Sequence, residues 1–212
     1  MRIRPISPER LVVALTDRLV GTPVAGRLRV AVDGPPAAEP DVLAGALVDP
    51  LRAAGRPVLH VRTADFLRPA SVRLEHGRTN PDAYYLGWFD EAGLRREVLD
   101  PAGPDGTGQL LPSLWDARTD RASRVGYVRL PPGGVVLVSG PLLLGGGLPF
   151  DVTVHLALSP AALRRRTEPG QAWTLPAFAR YTEEVAPESF ADVVVRVDDP
   201  RHPALVDPAP AR

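Results

Sequence analysis

Short apolar runs alternate along this chain with longer stretches in which apolar residues return every three to four positions. That alternation marks strands buried on both faces, separated by helices. Leu28–Val32 is the first such run, and Val42, Leu43, Ala46, Leu47 and Leu51 then form a stripe at helical spacing. The stripe predicts a helix from about Pro40 to Ala54, kinked at Pro50 and stopped by Gly55. Pro57–Val61 is a second buried strand, and the strand–helix–strand spacing calls for a parallel sheet with crossover helices. Pro8–Leu19 reads as an amphipathic helix, with Ser7 as its N-cap and Pro8 at the first helical position. Further on, Val135–Val138, Val152–Leu158 and Asp192–Val197 are core strands. Helices are expected from Ser159-Pro160 to the run Arg164–Arg166 and over Leu175–Val185.

Periodicity is weak across 64–124, apart from a helix over Asp90–Val98. A short hairpin is expected there between Leu110–Trp115 and Gly126–Leu130. The tail from Asp198 carries Pro200, Pro203, Pro208 and Pro210 and is expected to be frayed or extended. The chain therefore divides into an N-terminal helical segment (1–26), an α/β domain (27–198) with an insertion at about 64–130, and a Pro-rich tail (199–212).

Composition narrows the classes. A chain of 212 residues with 44% hydrophobic residues suffices for one α/β domain with a substantial core, or at most two small ones. Its zero net charge provides no overall field toward nucleic acid or anionic lipid, so neither is expected as a partner. The absence of cysteine removes disulfides, thiolate metal sites and cysteine nucleophiles, and fits a reducing cytoplasm. Pro132–Phe150 lacks charge, but its glycines and prolines make it a strand and loop, not a membrane span. The N-terminus lacks the apolar core and cleavage pattern of a signal peptide. His60, His76, His155 and His202 show no metal-ligand spacing, and His60 and His155 lie in apolar strands as core residues. No metal site is expected.

The loop after the first strand carries the most chemistry. Gly34 stands at the first position of a G-x-x-x-x-G-K-[ST] phosphate-binding frame, between strand and helix. The last three positions hold Glu39, Pro40 and Asp41 instead. All 25 basic residues are Arg, so no lysine elsewhere can substitute. Pro40 suits the first turn of a helix, and acids at Glu39 and Asp41 suit its positive end. These carboxylates are therefore expected to occupy the anion site themselves, accepting the N–H bonds of the loop.

The segments DGPPAAEPDVLA, ADFLRP, GRTNPDAYY, FDEAGLRREVLDP, WDARTD, VLVSGP and ADVVVRVDDP occur in order over about Arg27–Pro203. In this order the chain resembles the uridine kinase-like branch of P-loop kinases, particularly actinobacterial proteins labelled uridine kinase. The resemblance implies a three-layer α/β P-loop NTPase fold with a mainly parallel sheet of about five strands and an irregular acceptor-side insertion. It also implies ATP-dependent phosphoryl transfer to a nucleoside, with Mg-ATP as cofactor. By the same match, Glu39 stands for a glycine, Pro40 for the phosphate lysine, and Asp41 for the Mg²⁺-binding hydroxyl. Ala64 stands for the catalytic acid, with Asp65 one residue away as a weak substitute, and Ser139 for a metal-binding acid.

On the acceptor side, Asp90 matches the acid that bonds the ribose hydroxyls. Tyr84, Tyr85, Trp88 and Phe89 offer aromatic faces for a base, and Asp116 and Arg118 match a stretch near the nucleoside. Arg78 and Pro81 keep the pattern of the preceding loop, and Arg164, Arg165 and Arg166 match the lid over ATP. Each has a structural alternative: the aromatics as insertion core, Asp90 as an N-cap, and the arginines as a solvated helix C-terminus. The functional expectation is a catalytically impaired nucleoside kinase homologue, without cofactor, that binds a nucleoside-like molecule or a protein partner. An active kinase using Mg-ATP and a scaffold that binds no nucleotide are the alternatives.

Overall fold

The computed structural model describes residues 2–207. Its strands are β1 Arg2–Pro5, β2 Leu28–Asp33, β3 Val58–Arg62, β4 Gln109–Leu110, β5 Trp115–Asp116, β6 Arg121–Ala122, β7 Val128–Arg129, β8 Val135–Gly140, β9 Val152–Ala157, β10 Val193–Arg196 and β11 Ala204–Asp207. The α-helices are α1 Pro8–Gly21, α2 Pro40–Ala53, α3 Ala70–Arg73, α4 Pro81–Gly87, α5 Glu91–Leu94, α6 Asp100–Ala102, α7 Pro160–Arg166, α8 Leu175–Glu184 and α9 Pro187–Phe190.

The main sheet has seven strands in the order β1-β11-β10-β9-β2-β8-β3. From β3 to β10 the five neighbours pair in parallel, as the β-α-β spacing requires. β11 and β1 then extend the sheet antiparallel, which corrects the expected count of about five. Of the two expectations for the tail, the extended one holds for Ala204–Asp207, which pairs on both sides. Both additions are four residues long, too short for a period to show, and only their partners define them as strands. Pro208 and Pro210 lie outside the described residues.

Alternate residues of the central strands feed two cores. Val30, Val32, Val135, Leu137, Val154 and Leu156 meet Leu11, Leu15 and Leu19 of α1 and Leu47 and Leu51 of α2. Ala31, Val61, Val136 and Val138 face the other way, onto the insertion and onto Phe178 and Tyr181 of α8. The result is a three-layer α/β domain. Helix α2 runs through Pro50 to Ala53.

The expected helix at Asp90–Val98 is longer. It continues from α5 through a π turn at Arg95–Leu99 into α6. Pro101 has no N–H for the Glu97 carbonyl four residues back. That carbonyl accepts the Leu111 N–H instead, at 3.1 Å, and so ties the hairpin to the helix. Leu110 pairs with Val128 as expected, but Trp115 and Asp116 pair with Ala122 and Arg121 in a separate small hairpin. Among the described residues no helix is long and apolar enough to cross a membrane.

Candidate functional site

In an open parallel sheet, ligands bind at the carboxyl ends of strands where the chain reverses its direction of travel across the sheet. Here that place is the end of β2, between β8 and β9. Gly34 begins the loop, and a Cβ there would meet the Leu156 Cβ at 3.0 Å and its carbonyl oxygen at 3.1 Å, a tight approach that favours glycine. Pro35 follows, then one turn of 3₁₀ helix at Pro36–Ala38, then Glu39 in the left-handed region at φ 60° and ψ 49°. Glu39 occupies the glycine position of the motif and adopts a conformation suited to glycine.

The loop satisfies its own donors. Pro35, Pro36 and Pro40 have no N–H. Gly34 N–H donates to the Gly140 carbonyl (3.2 Å), Ala38 N–H to Pro35 (2.7 Å) and Glu39 N–H to Pro36 (3.0 Å). From Gly34 to Asp41, only the N–H groups of Ala37 and Asp41 have no partner among the described residues. The expectation that carboxylates accept these bonds is therefore corrected: helix α2 has no side-chain cap. Backbone carbonyls three residues away reach the donors with no loss of side-chain freedom. The Glu39 carboxylate instead lies 3.7 Å from Arg166.

A left-handed non-glycine residue costs about 1 kcal/mol or more, partly offset by the extra chain entropy of glycine. Glu39→Gly is expected to raise stability by about 0.5 kcal/mol, read as a shift in the urea midpoint; a loss of stability would contradict the strain.

Asp41 turns inward to Ser139. The Ser139 hydroxyl donates to Asp41 Oδ1 at 2.5 Å, and His60 Nε2 lies 2.8 Å from the same oxygen of Ser139. The hydroxyl proton is given to Asp41, so Ser139 Oγ accepts from the Nε2–H of His60. Burial holds the His60 pKa below its ordinary value, with the nearby Asp41 charge acting in the opposite direction. The carboxylate and hydroxyl that the resemblance assigns to Ser139 and Asp41 are thus exchanged between strand and helix, and they still touch.

A second network, which sequence reasoning missed, lies beneath the loop. Asp33 is fully buried. Its Oδ2 accepts from His155 Nδ1 (2.7 Å) and from the Tyr181 hydroxyl (3.0 Å), and its Oδ1 accepts from the Leu143 N–H (2.9 Å). The Tyr181 oxygen in turn accepts from the Leu144 N–H at 3.0 Å. Burial, reinforced by the Asp33 charge, raises the Tyr181 phenol well above its usual value. The available signal was a carboxylate closing an apolar strand directly before Gly34, with a histidine inside another apolar strand.

The remaining expected residues are distributed unevenly. A cleft of about 400 Å³ runs from Pro36, Glu39, Pro40 and Asp41 to Tyr84, Trp88 and Phe89, and Ala64 lines it too. A groove of about 440 Å³ on the lid side meets it at Pro36, Glu39 and Tyr84. Tyr84 is 6% exposed, and its ring packs edge-on against Trp88, Phe89, Trp173 and Phe178 at 5.2–5.9 Å between centroids. It serves both as core and as cleft wall. Tyr85 is directed away: its hydroxyl donates to Glu184 (3.0 Å), and the Arg180 guanidinium lies 4.6 Å over its ring.

Asp90 caps α5, accepting the Gly93 N–H at 2.9 Å, and borders a narrow recess beside Phe89. Asp116 closes a turn by accepting from the Arg118 N–H (2.9 Å) and the Thr119 hydroxyl (2.8 Å), and it faces an open groove with Arg121 and Arg124. Neither Asp116 nor Arg118 lines the cleft. Asp65 is held by Arg62 at 2.9 Å and does not line the cleft. Arg166 donates to the Val197 carbonyl and Arg165 to that of Asp198, which ties α7 to the end of β10. Arg164 borders a separate cavity. Among the described residues, no group of three or more His, Asp or Glu side chains is placed to hold a metal ion.

No family model and no curated protein matches the chain. Among solved structures, a possible uridine kinase from Bacillus stearothermophilus is similar at a TM-score of 0.72 and 23% identity, over 88% of this chain and 97% of that one. A proposed fructose transport system kinase from Silicibacter sp. TM1040 is similar at a TM-score of 0.56 and 23% identity, over 84% and 89% of the two chains. These likenesses show the fold, which is that of P-loop kinases.

Proposed function

We propose that this chain is a P-loop-kinase-fold protein that binds a small nucleoside-like molecule in the aromatic cleft and does not transfer phosphate. The observation that carries this reading is the self-satisfied loop. A phosphate chain held by such a loop needs several converging N–H groups, a cation, and a hydroxyl–acid pair on Mg²⁺. Three prolines, two bonds within the loop and one to Gly140 leave two N–H groups over Gly34–Asp41. Two carboxylates, Glu39 and Asp41, stand where a polyanion would lie. A unit charge 4 Å from a like charge costs about 1 kcal/mol in water and about 4 near a protein surface. The residues present do not fit a nucleoside triphosphate. The acceptor side keeps an aromatic-walled cleft of about 400 Å³, within the usual range for small-molecule sites.

One observation favours a second reading, an active Mg-ATP-dependent nucleoside kinase with an unconventional phosphate site. Asp41 and Ser139 retain a touching carboxylate and hydroxyl in reversed order. Calorimetric titration with Mg-ATP, and separately with uridine, decides between them. The leading reading expects heat with uridine and none with Mg-ATP at millimolar concentration. Micromolar Mg-ATP binding with ADP release would overturn it in favour of the kinase. Binding of neither would leave a scaffold with a protein partner.

A further inference from the structure

Outside the cleft, the buried His155, 6% exposed, lines a cavity of about 790 Å³ bounded by β9, β10, α7, α8 and α9. This cavity shares no lining residue with the aromatic cleft. Its walls include Leu158, Leu163, Leu175 and Phe178, an apolar surround that strengthens any hydrogen bond made inside it.

His155 Nδ1 lies against the Asp33 carboxylate, which only accepts, so Nδ1 carries a proton. No hydrogen bond reaches Nε2 among the described residues. The bond at one ring nitrogen fixes what the other can do, and in the uncharged tautomer it leaves Nε2 as a bare acceptor. Charge at the rim is balanced. Arg196 pairs with Glu188 at 3.3 Å, and Arg164 and Asp198 contribute one charge of each sign. A charged ligand would find no net counter-charge, whereas an apolar body with one donor would satisfy the imidazole.

We propose that this cavity is a second ligand site, for an uncharged, largely apolar molecule carrying a single O–H or N–H donor that hydrogen-bonds to His155 Nε2. Fluorescence titration with 1-naphthol, against 1-methoxynaphthalene as the same ring without a donor, tests it on the unaltered protein. The naphthol is expected to bind about five- to tenfold tighter, the share of one neutral hydrogen bond. Its binding should shift the Nε2 ¹⁵N resonance of His155, while the methoxy compound should not. Leu163→Trp fills this cavity alone and should abolish binding of both probes. Equal affinities, an unmoved His155 resonance, or naphthol binding unchanged in Leu163→Trp would each overturn the proposal. Uridine titration of the same variant reads the aromatic cleft separately, so failure here leaves that reading standing.

Discussion

Asp33→Ala should lower the unfolding free energy by about 3–5 kcal/mol, because it leaves buried donors without their acceptor. The wild-type carboxylate serves three donors: His155 Nδ1, the Tyr181 hydroxyl and the Leu143 N–H. Alanine leaves all three without an acceptor in a site closed to water, and each buried donor left unmade costs about 1–3 kcal/mol. The loss is not a simple sum, because the effects of groups in one hydrogen-bond network are not additive. Urea unfolding followed by far-UV circular dichroism measures it, and Tyr181→Phe, which removes two bonds, the one to Asp33 and the one from the Leu144 N–H, should cost less, about 1–3 kcal/mol. A loss below 1 kcal/mol for Asp33→Ala would mean that water reaches the network. The same variant should speed amide exchange at Leu143 and Leu144, whose N–H groups are held by Asp33 and Tyr181.

Tyr84→Ala should cost about 3–5 kcal/mol, the usual range for emptying a buried aromatic site. Four ring contacts converge on Tyr84, joining α4 to α8 and to the segment carrying Trp173. Burial raises its phenol well above the ordinary value, so the ring stays uncharged at any working pH. Its hydroxyl makes no hydrogen bond among the described residues, so Tyr84→Phe should change stability by less than about 1 kcal/mol. Thermal and urea unfolding of the two variants separate the ring from the hydroxyl. A small loss for Tyr84→Ala would mean that the cleft wall is loosely packed. A large loss for Tyr84→Phe would point to a partner for the hydroxyl.

Much of the fold was legible because its signals are local. Leu28–Val32, Val135–Val138 and Val152–Leu158 are largely buried on both faces and so read as mainly apolar runs, interrupted only by Arg29, Thr153 and His155. The stripe of α2 buries Leu47 and Leu51 at helical spacing. Where an element is short the signal disappears. β1 is a strand only because it pairs with β11, β11 because it pairs with β1 and β10, and α4, capped by Asn80, was not among the expected helices. Adjacent residues show the same limit within the site. Tyr84 and Tyr85 are equivalent as letters, yet one turn of α4 sends the first into the core and the second onto Glu184 and Arg180.

The amino-acid order by itself determined the backbone chemistry of the loop: prolines at 35, 36 and 40, acids at 39 and 41, and no lysine anywhere in the chain. Those properties are covalent and need no partner to be true. Only the tertiary structure decided what these groups meet. Asp41 finds Ser139 across 98 residues, Asp33 finds His155 across 122, and Tyr181 reaches Asp33 across 148. No local pattern encodes such pairs. They form because parallel strands and their covering helices bring distant carboxyl ends to one edge of the sheet, where a buried polar group must find a partner.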